Sequence, residues 1–176
     1  MKNVLIISDD LLLRILEYAD AENTPFYLYD TKRIQENCRD FLNIRYRPLS
    51  VNYAMMANSN PLFLNIIKQE GLKIFVNSLL HLDLALKMNF SGDEIIYASS
   101  AMDESTMRRV KSSGAKLIVD SIGQFELWQH LFPDNPVGIR CNIGELVVPR
   151  KTTGGYFIGK QSRLGLNMNA ISSLKG

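Results

Sequence analysis

Residues 50–71 read SVNYAMMANSNPLFLNIIKQEG, and this stretch decides the fold. Its first part, Ser50–Met56, is a short apolar run that predicts a β-strand. Asn60 and Pro61 then supply a helix cap and a proline for the first helical turn, and Gly71 closes the helix. The stretch therefore predicts a strand followed directly by a helix, which is the unit from which parallel sheets are built.

The same unit recurs along the chain, because further apolar runs begin at intervals of roughly 22 residues. These predicted strands are Lys73–Ser78, Glu94–Ser99, Lys116–Ser121 and Val137–Ile143. Helical periodicity with end signals separates them. Asp103 opens one helix and Gly114 closes it, while Ser121 and Gln124 form a capping-box pattern for another helix that ends before Pro133. Strands that are apolar throughout are typical of a parallel sheet covered by helices.

Five predicted strands fit two architectures of the α/β class. A closed (β/α)8 TIM-type barrel needs eight strands and typically about 250 residues. The chain is therefore either a smaller open α/β sheet or an incomplete barrel. Val147–Gln161 reads as a long loop, and Asn167–Gly176 is predicted to start a helix. An incomplete barrel exposes strand edges, which predicts a partner or a longer parent chain.

Residues 1–48 are predicted to lie outside the barrel portion, which runs from about residue 49 to residue 176. Asp9–Ala21 has the apolar spacing of an amphipathic helix. Phe26–Tyr29 is rich in aromatic residues and reads as a short strand. Asp30 is a predicted N-cap for a helix that runs to about Phe41.

Composition and charge argue against several classes of function. The net charge is +2, and the basic residues are not clustered, which argues against a nucleic-acid surface. No apolar run approaches the roughly 20 residues that span a bilayer, and no signal-peptide pattern is seen. Cys38 and Cys141 form neither a disulfide framework nor a metal spacing, so we expect two buried thiols in a cytoplasmic protein. His130, near a helix end, is interpreted as a helix-dipole partner rather than a metal ligand.

The segment from Tyr53 to Asn58, with the helix and glycine that follow, resembles the cofactor-lysine segment of a known family. This family is the ornithine, diaminopimelate and arginine decarboxylases of the alanine-racemase-like barrel class, fold type III, which use pyridoxal phosphate (PLP). There the segment reads Tyr-Ala-x-Lys-Ala/Cys-Asn, so Met56 stands at the lysine position. Further segments that resemble the family, in the family's order, are Thr24–Asp30, Asp120-Ser121, Val137–Asn142 and Ser162–Gly165. The resemblance implies the N-terminal part of a PLP-dependent barrel decarboxylase.

The resemblance also implies a set of cofactor-binding residues, namely Tyr53, Ala54, Asn58, Ser78, His81 and Arg140. PLP enzymes hold the cofactor as an imine to a lysine amine. The thioether of Met56 forms no imine but fills the space of a lysine stem, so any bound PLP is predicted not to be covalently attached. Phe75 and His81 stand where the family has Asp and Glu. The family's glycine-rich phosphate loops correspond to a part of the barrel beyond Gly176.

Three functions are compatible with this sequence. The first is a homologue that is catalytically inactive alone and acts through association, as a homodimer or as a heteromer with a decarboxylase-like subunit. Family members pair with active sites at the subunit interface, where Arg163 is a candidate. The second is a decarboxylase of the ornithine, diaminopimelate or arginine type, or a subunit of one, that uses Lys151, Lys160 or a partner's lysine. The third is a truncated product without a function of its own.

Overall fold

The computed structural model describes residues 8–21, 24–142 and 164–174. These residues fall into two compact units, which are divided between Thr31 and Lys32. In the first unit, helix α1 spans Asp9–Ala21, as predicted. Residues 26–29 form no strand, so that prediction is wrong. The Phe26 ring instead packs edge to face on Tyr18, with ring centroids 5.2 Å apart. Aromatic enrichment reflects a need for packing and does not by itself specify a sheet.

The second unit alternates strands and helices. Its strands are β1 (Asn52–Ala54), β2 (Lys73–Val76), β3 (Ile95–Ala98), β4 (Lys116–Val119) and β5 (Gly138–Ile139). Its helices are α2 (Thr31–Leu42), α3 (Pro61–Gln69), α4 (Leu79–Lys87), α5 (Glu104–Ser112), α6 (Ile122–Leu131) and α7 (Met168–Ser173). Short 3₁₀ turns occupy Met55–Ala57 and Gly92–Glu94. The predicted positions of the five strands are confirmed, although β5 is only two residues long.

The five strands are parallel and lie in the order β1-β2-β3-β4-β5. A doubly wound sheet reverses its strand order at one point, and this sheet does not. Right-handed crossovers that always move in one direction place every helix on the same face of the sheet. A single bridge between Cys141 and Leu166 continues the parallel pattern beyond β5. The described residues therefore form part of a TIM-type barrel, which decides between the two predicted architectures.

The predicted helix signals act as backbone caps. The Asn60 side chain accepts a hydrogen bond from the backbone N–H of Leu62, and Pro61 follows in the first turn of α3. Asp103 caps α5 in the same way, through the N–H of Thr106. Gly71 follows α3 with φ +83°, a left-handed conformation that favours glycine. Local sequence signals therefore define both ends of α3 and the start of α5.

The core lies between the sheet and its helices. Alternate strand residues point toward the helices and are fully buried, for example Ile74, Val76 and Ile95. The opposite face of the sheet, which forms the interior of a barrel, is less covered. One register row on that face connects Ala54 to Phe75 and Phe75 to Ile96. This row carries Phe75, at the position where the resemblance predicts an aspartate.

Gly92 packs directly on the backbone of the turn that precedes β4. A Cβ atom at this position would lie 2.6 Å from the backbone carbon of Gly114, so the backbone of one turn must shift. We expect Gly92→Ala to lower the free energy of unfolding by about 1–3 kcal/mol. Gly123, inside α6, has no atom within 4 Å of such a Cβ. Gly123→Ala is therefore expected to stabilise the chain by about 0.5–1 kcal/mol, and urea denaturation of both variants checks the pair.

Candidate functional site

The first strand ends in a tight turn that exposes Met56. Ala54 is still extended, with φ −77° and ψ 102°, and the chain then enters the 3₁₀ turn. Met55 points into the core and is fully buried, while Met56 is 42% exposed. In parallel barrels the carboxyl ends of the strands form the face on which active sites lie. Met56, for which the resemblance predicts the family's lysine position, is therefore accessible at this face.

Tyr53 and Asn58 stabilise the turn around Met56. The Tyr53 hydroxyl donates a hydrogen bond to the Asn58 carbonyl at 3.2 Å. The Tyr53 ring packs on Phe63 of α3 at 5.1 Å. The Asn58 side chain accepts from the N–H of Asn60 at 2.9 Å. These contacts hold the turn in place from the helix-facing side of β1.

A second polar group lies where β2 passes into α4. The Ser78 hydroxyl accepts from the backbone N–H of His81 at 3.2 Å and caps the helix. Nδ1 of His81 lies 3.2 Å from Oδ1 of Asn77. Because an amide oxygen only accepts, the ring nitrogen is the donor in this contact. Ser78 and His81 thus lie together at a strand end, and Phe75 lies within the strand before them.

A buried polar network joins the ends of β3 and β4. Ser100 donates to a carboxylate oxygen of Asp120 at 2.6 Å. The Gln124 side chain accepts from the Asp120 N–H at 3.0 Å and donates to the carbonyls of Ser99 and Ser100 at 3.0 and 3.1 Å. Asp120 is 8% exposed and Gln124 is 6% exposed.

The sequence predicted Gln124 only as half of a capping box with Ser121. Ser121 does cap α6 by accepting from the Gln124 N–H at 3.3 Å. The Gln124 side chain, however, bridges two strand ends. Local sequence patterns do not predict this bridge, because the partners come from residues 24 and 25 positions earlier in the chain.

Arg140 follows β5 and is exposed. Its N–H donates to the Val119 carbonyl, and its own carbonyl accepts from the N–H of Leu166, each at 2.8 Å. Gly165 has φ +83°, and a Cβ atom there would lie 2.8 Å from the Arg140 oxygen. The turn that ends in Gly165 therefore packs against the backbone of Arg140. Arg163, Lys151, Lys160 and Gly154-Gly155 lie outside the described residues.

Both thiols were predicted to be buried, and one of them is. Cys38 is buried, and burial raises its thiol pKa. Cys141 is exposed, so its predicted burial is wrong. It follows a strand of only two residues, and its single bridge to Leu166 gives little cover.

Asp103 is the N-cap of α5, and its carboxylate makes an acid-sensitive contact. Hydrogen bonds from the side chain and N–H of Thr106 and from Ser105 lower the Asp103 pKa from 3.8 to about 2. A depressed carboxyl pKa stabilises the fold above the unfolded value and loses this contribution as the pH falls through the folded value. We expect Asp103→Asn to keep the cap and remove this part of the pH dependence. The thermal midpoint of the variant should fall less than that of the parent chain between pH 3.8 and pH 2; equal falls would contradict the assignment.

The described residues do not fit covalent attachment of PLP. None of their lysines lies at the carboxyl ends of the strands. Lys73 and Lys116 begin β2 and β4, at the opposite end of the sheet. The other described lysines lie in helices and are Lys32, Lys68, Lys87 and Lys111. No group of three or more metal-ligating side chains occurs among these residues either.

The comparisons with known proteins agree on one family. The model of the pyridoxal-dependent decarboxylase family, pyridoxal binding domain, matches residues 31–172. A diaminopimelate decarboxylase from Methanothermobacter thermautotrophicus is 30% identical over 131 residues, which cover 73% of this chain and 30% of that relative. The chain therefore spans less than a third of the length of this relative.

Solved structures show the same fold. A diaminopimelate decarboxylase from Helicobacter pylori, complexed with L-lysine, aligns with a TM-score of 0.72 and 20% identity over 92% of this chain and 41% of its own. A lysine/ornithine decarboxylase from Vibrio vulnificus, complexed with cadaverine, aligns with a TM-score of 0.71 and 15% identity over 97% of this chain and 43% of its own. The family match covers most of the chain and agrees with the partial barrel and its strand-end turn. The chain belongs to the pyridoxal-dependent decarboxylase family, within the pyridoxal-binding domain of that family.

Proposed function

We propose that this chain is a decarboxylase homologue that is catalytically inactive alone and acts by association with a decarboxylase-like subunit. The observation that carries the proposal is Met56, which occupies the exposed end of β1 where the family resemblance places the cofactor lysine. A thioether carries no amine and forms no imine. The chain therefore lacks the group by which family members attach PLP at this position.

The surroundings of Met56 support the same proposal. Phe75 occupies the family's aspartate position, and its register neighbours are Ala54 and Ile96. A carboxylate in this apolar row would lose hydration without gaining a charged partner from the row. His81 occupies the family's glutamate position and contacts Asn77, which is uncharged. Met56, Phe75 and His81 thus differ from the lysine, aspartate and glutamate that the resemblance predicts. Such differences are expected of a site that no longer catalyses decarboxylation.

PLP remains a proposed ligand, held without a covalent bond. PLP supplies an electron sink for amino-acid chemistry when a lysine holds it. The resemblance predicts contacts from Tyr53, Ala54, Asn58, Ser78, His81 and Arg140. Among them, Ser78, His81 and Arg140 follow the carboxyl ends of their strands, whereas the Tyr53 ring packs on the helix side. We expect any PLP to contact the first group and not the Tyr53 side chain.

The proposed partner is a second copy or a decarboxylase-like subunit, in the cytoplasm. The exposed hydrophobic side chains Phe41, Met56 and Leu62 support association, because large apolar groups at a surface commonly mark interfaces. No helix in the described part of the chain is long and apolar enough to cross a membrane. Regulation or stabilisation of an active decarboxylase is the consequence that we expect.

Native mass spectrometry of the chain isolated from its own cells, with a decarboxylation assay of the purified chain alone, tests this function. We expect a complex with a decarboxylase-like polypeptide and no turnover by the isolated chain. Turnover by the chain alone would overturn the proposal. It would favour the second function, in which Lys151 or Lys160 carries PLP, and borohydride reduction followed by peptide mapping would identify that lysine. Rapid degradation of the chain without any partner would favour the truncated product.

A further inference from the structure

Two adjacent methionines follow strand β1, and the backbone turn sends them into opposite environments. Both lie in the 3₁₀ turn Met55–Ala57. Met55 is fully buried in the core, whereas Met56 is 42% exposed. The hydrogen bond from the Tyr53 hydroxyl to the Asn58 carbonyl, at 3.2 Å, holds this turn. Local backbone geometry therefore exposes one thioether to solvent and buries its neighbour.

The other exposed sulfur-bearing side chains in the described part of the chain lie at the same end of the sheet. Cys141 follows β5 and is exposed. Met168 is 39% exposed and begins α7, two residues after the parallel bridge at Leu166. The sulfur-bearing side chains that are buried or partly buried are Cys38, Met55, Met88, Met102 and Met107. An oxidant that reaches the carboxyl ends of the strands therefore meets the accessible sulfur atoms of the described residues there.

Methionine sulfur is oxidised by hydroperoxides in a two-electron step. A sulfur lone pair attacks one oxygen of the hydroperoxide, an S–O bond forms and the O–O bond breaks. The proton on the attacked oxygen moves to the departing oxygen, which leaves as water or as an alcohol. Sulfur is oxidised and the hydroperoxide is reduced. The flexible apolar side chain becomes polar, and methionine sulfoxide reductases reverse the change.

We propose that Met56 is a site of reversible oxidation by hydroperoxides, and that its sulfoxide weakens association with the decarboxylase-like subunit. The effect on association rests on the proposed function, in which Met56 is one of the exposed apolar side chains that a partner covers. The sulfoxide oxygen loses its water when it is covered, and this is costly unless a hydrogen-bond donor replaces the water. The row of Ala54, Phe75 and Ile96, which begins just before the turn, has no donor in its side chains.

Peptide mapping tests the modification site. The full folded chain is treated with hydrogen peroxide, and tandem mass spectrometry follows the sulfoxide at each methionine with time. We expect Met56 to be oxidised about tenfold faster than Met55, because burial excludes the oxidant from Met55. Met168 is exposed to nearly the same extent as Met56, so its rate should lie within about threefold of the rate at Met56. Oxidation of Met56 no faster than that of Met55 would overturn the site.

A binding measurement tests the effect on association. The chain is oxidised first, the peroxide is removed, and the untreated partner subunit is then added. Met56→Leu keeps an apolar side chain of similar volume that peroxide does not oxidise, and Met168→Leu is the matched control. We expect treatment to raise the Kd about tenfold for the parent chain and for Met168→Leu, and less than about twofold for Met56→Leu. Cys141 is present in all three chains, so its oxidation affects them equally.

Recovery of the parent chain's Kd after treatment with methionine sulfoxide reductase would support a reversible effect. Protection by Met168→Leu instead of Met56→Leu would overturn Met56 as the residue responsible. An unchanged Kd after complete oxidation of Met56 would overturn the effect on association and leave the proposed function standing. A chain that forms no complex would overturn the proposed function together with that effect, whereas the rates at Met56 and Met55 would still decide the modification site.

Discussion

Met56→Lys is expected to give the chain a lysine that reacts with PLP at the end of β1. Met56 is 42% exposed, and lysine is an unbranched side chain of similar length, so the substitution buries no charge. After incubation with PLP and borohydride reduction, we expect peptide mapping to find the cofactor mass on residue 56. The parent chain should carry no adduct at this position, since methionine has no amine.

Leu80→Lys is the matched control, because it places a new lysine at an exposed site on α4. Any surface amine reacts with PLP to some extent, so the informative quantity is the excess of labelling at residue 56 over residue 80. Equal labelling at both positions would contradict the placement of Met56 at the cofactor-lysine position. We expect the adduct to form without decarboxylation, because Phe75 and His81 remain at the positions where the resemblance predicts carboxylates.

Gln124→Leu is expected to produce the largest loss of stability near the candidate site. The leucine leaves the Asp120 N–H and the carbonyls of Ser99 and Ser100 without their present partner. Gln124 is 6% exposed, so water replaces these contacts poorly. Each unpaired buried group costs about 1–3 kcal/mol, and we expect a total loss of about 2–4 kcal/mol because Ser100 is exposed to water. Urea denaturation monitored by Trp128 fluorescence measures it.

Gln129→Leu provides the control for this loss. Gln129 lies on the same helix but is only partly buried, so the same change of side chain is expected to alter stability by less than about 0.5 kcal/mol. If both variants lost the same stability, the effect would come from helix propensity or surface polarity. The hydrogen bonds between Gln124 and the ends of β3 and β4 would then make no particular contribution to the free energy of unfolding.

Local sequence signals located most of the helices and strands. Asn60, Pro61 and Gly71 define the limits of α3 because caps, proline and left-handed glycine act through the local backbone. Apolar runs located all five strands, since burial of both faces is visible as a continuous run. The family resemblance correctly identified the barrel class, whereas Met56, predicted to lie in the first strand, lies in the turn that follows it.

The tertiary structure decided features that depend on distant residues. The row of Ala54, Phe75 and Ile96 follows from strand register, which connects residues about twenty positions apart. The bridge made by Gln124 and the exposure of Cys141 likewise depend on neighbours supplied by other parts of the chain. The absence of a strand at Phe26–Tyr29 has the same cause, because a strand requires a pairing partner that no local pattern supplies. Local backbone preferences can be read from the sequence. Side-chain burial and strand pairing depend on distant residues that meet only in the folded chain.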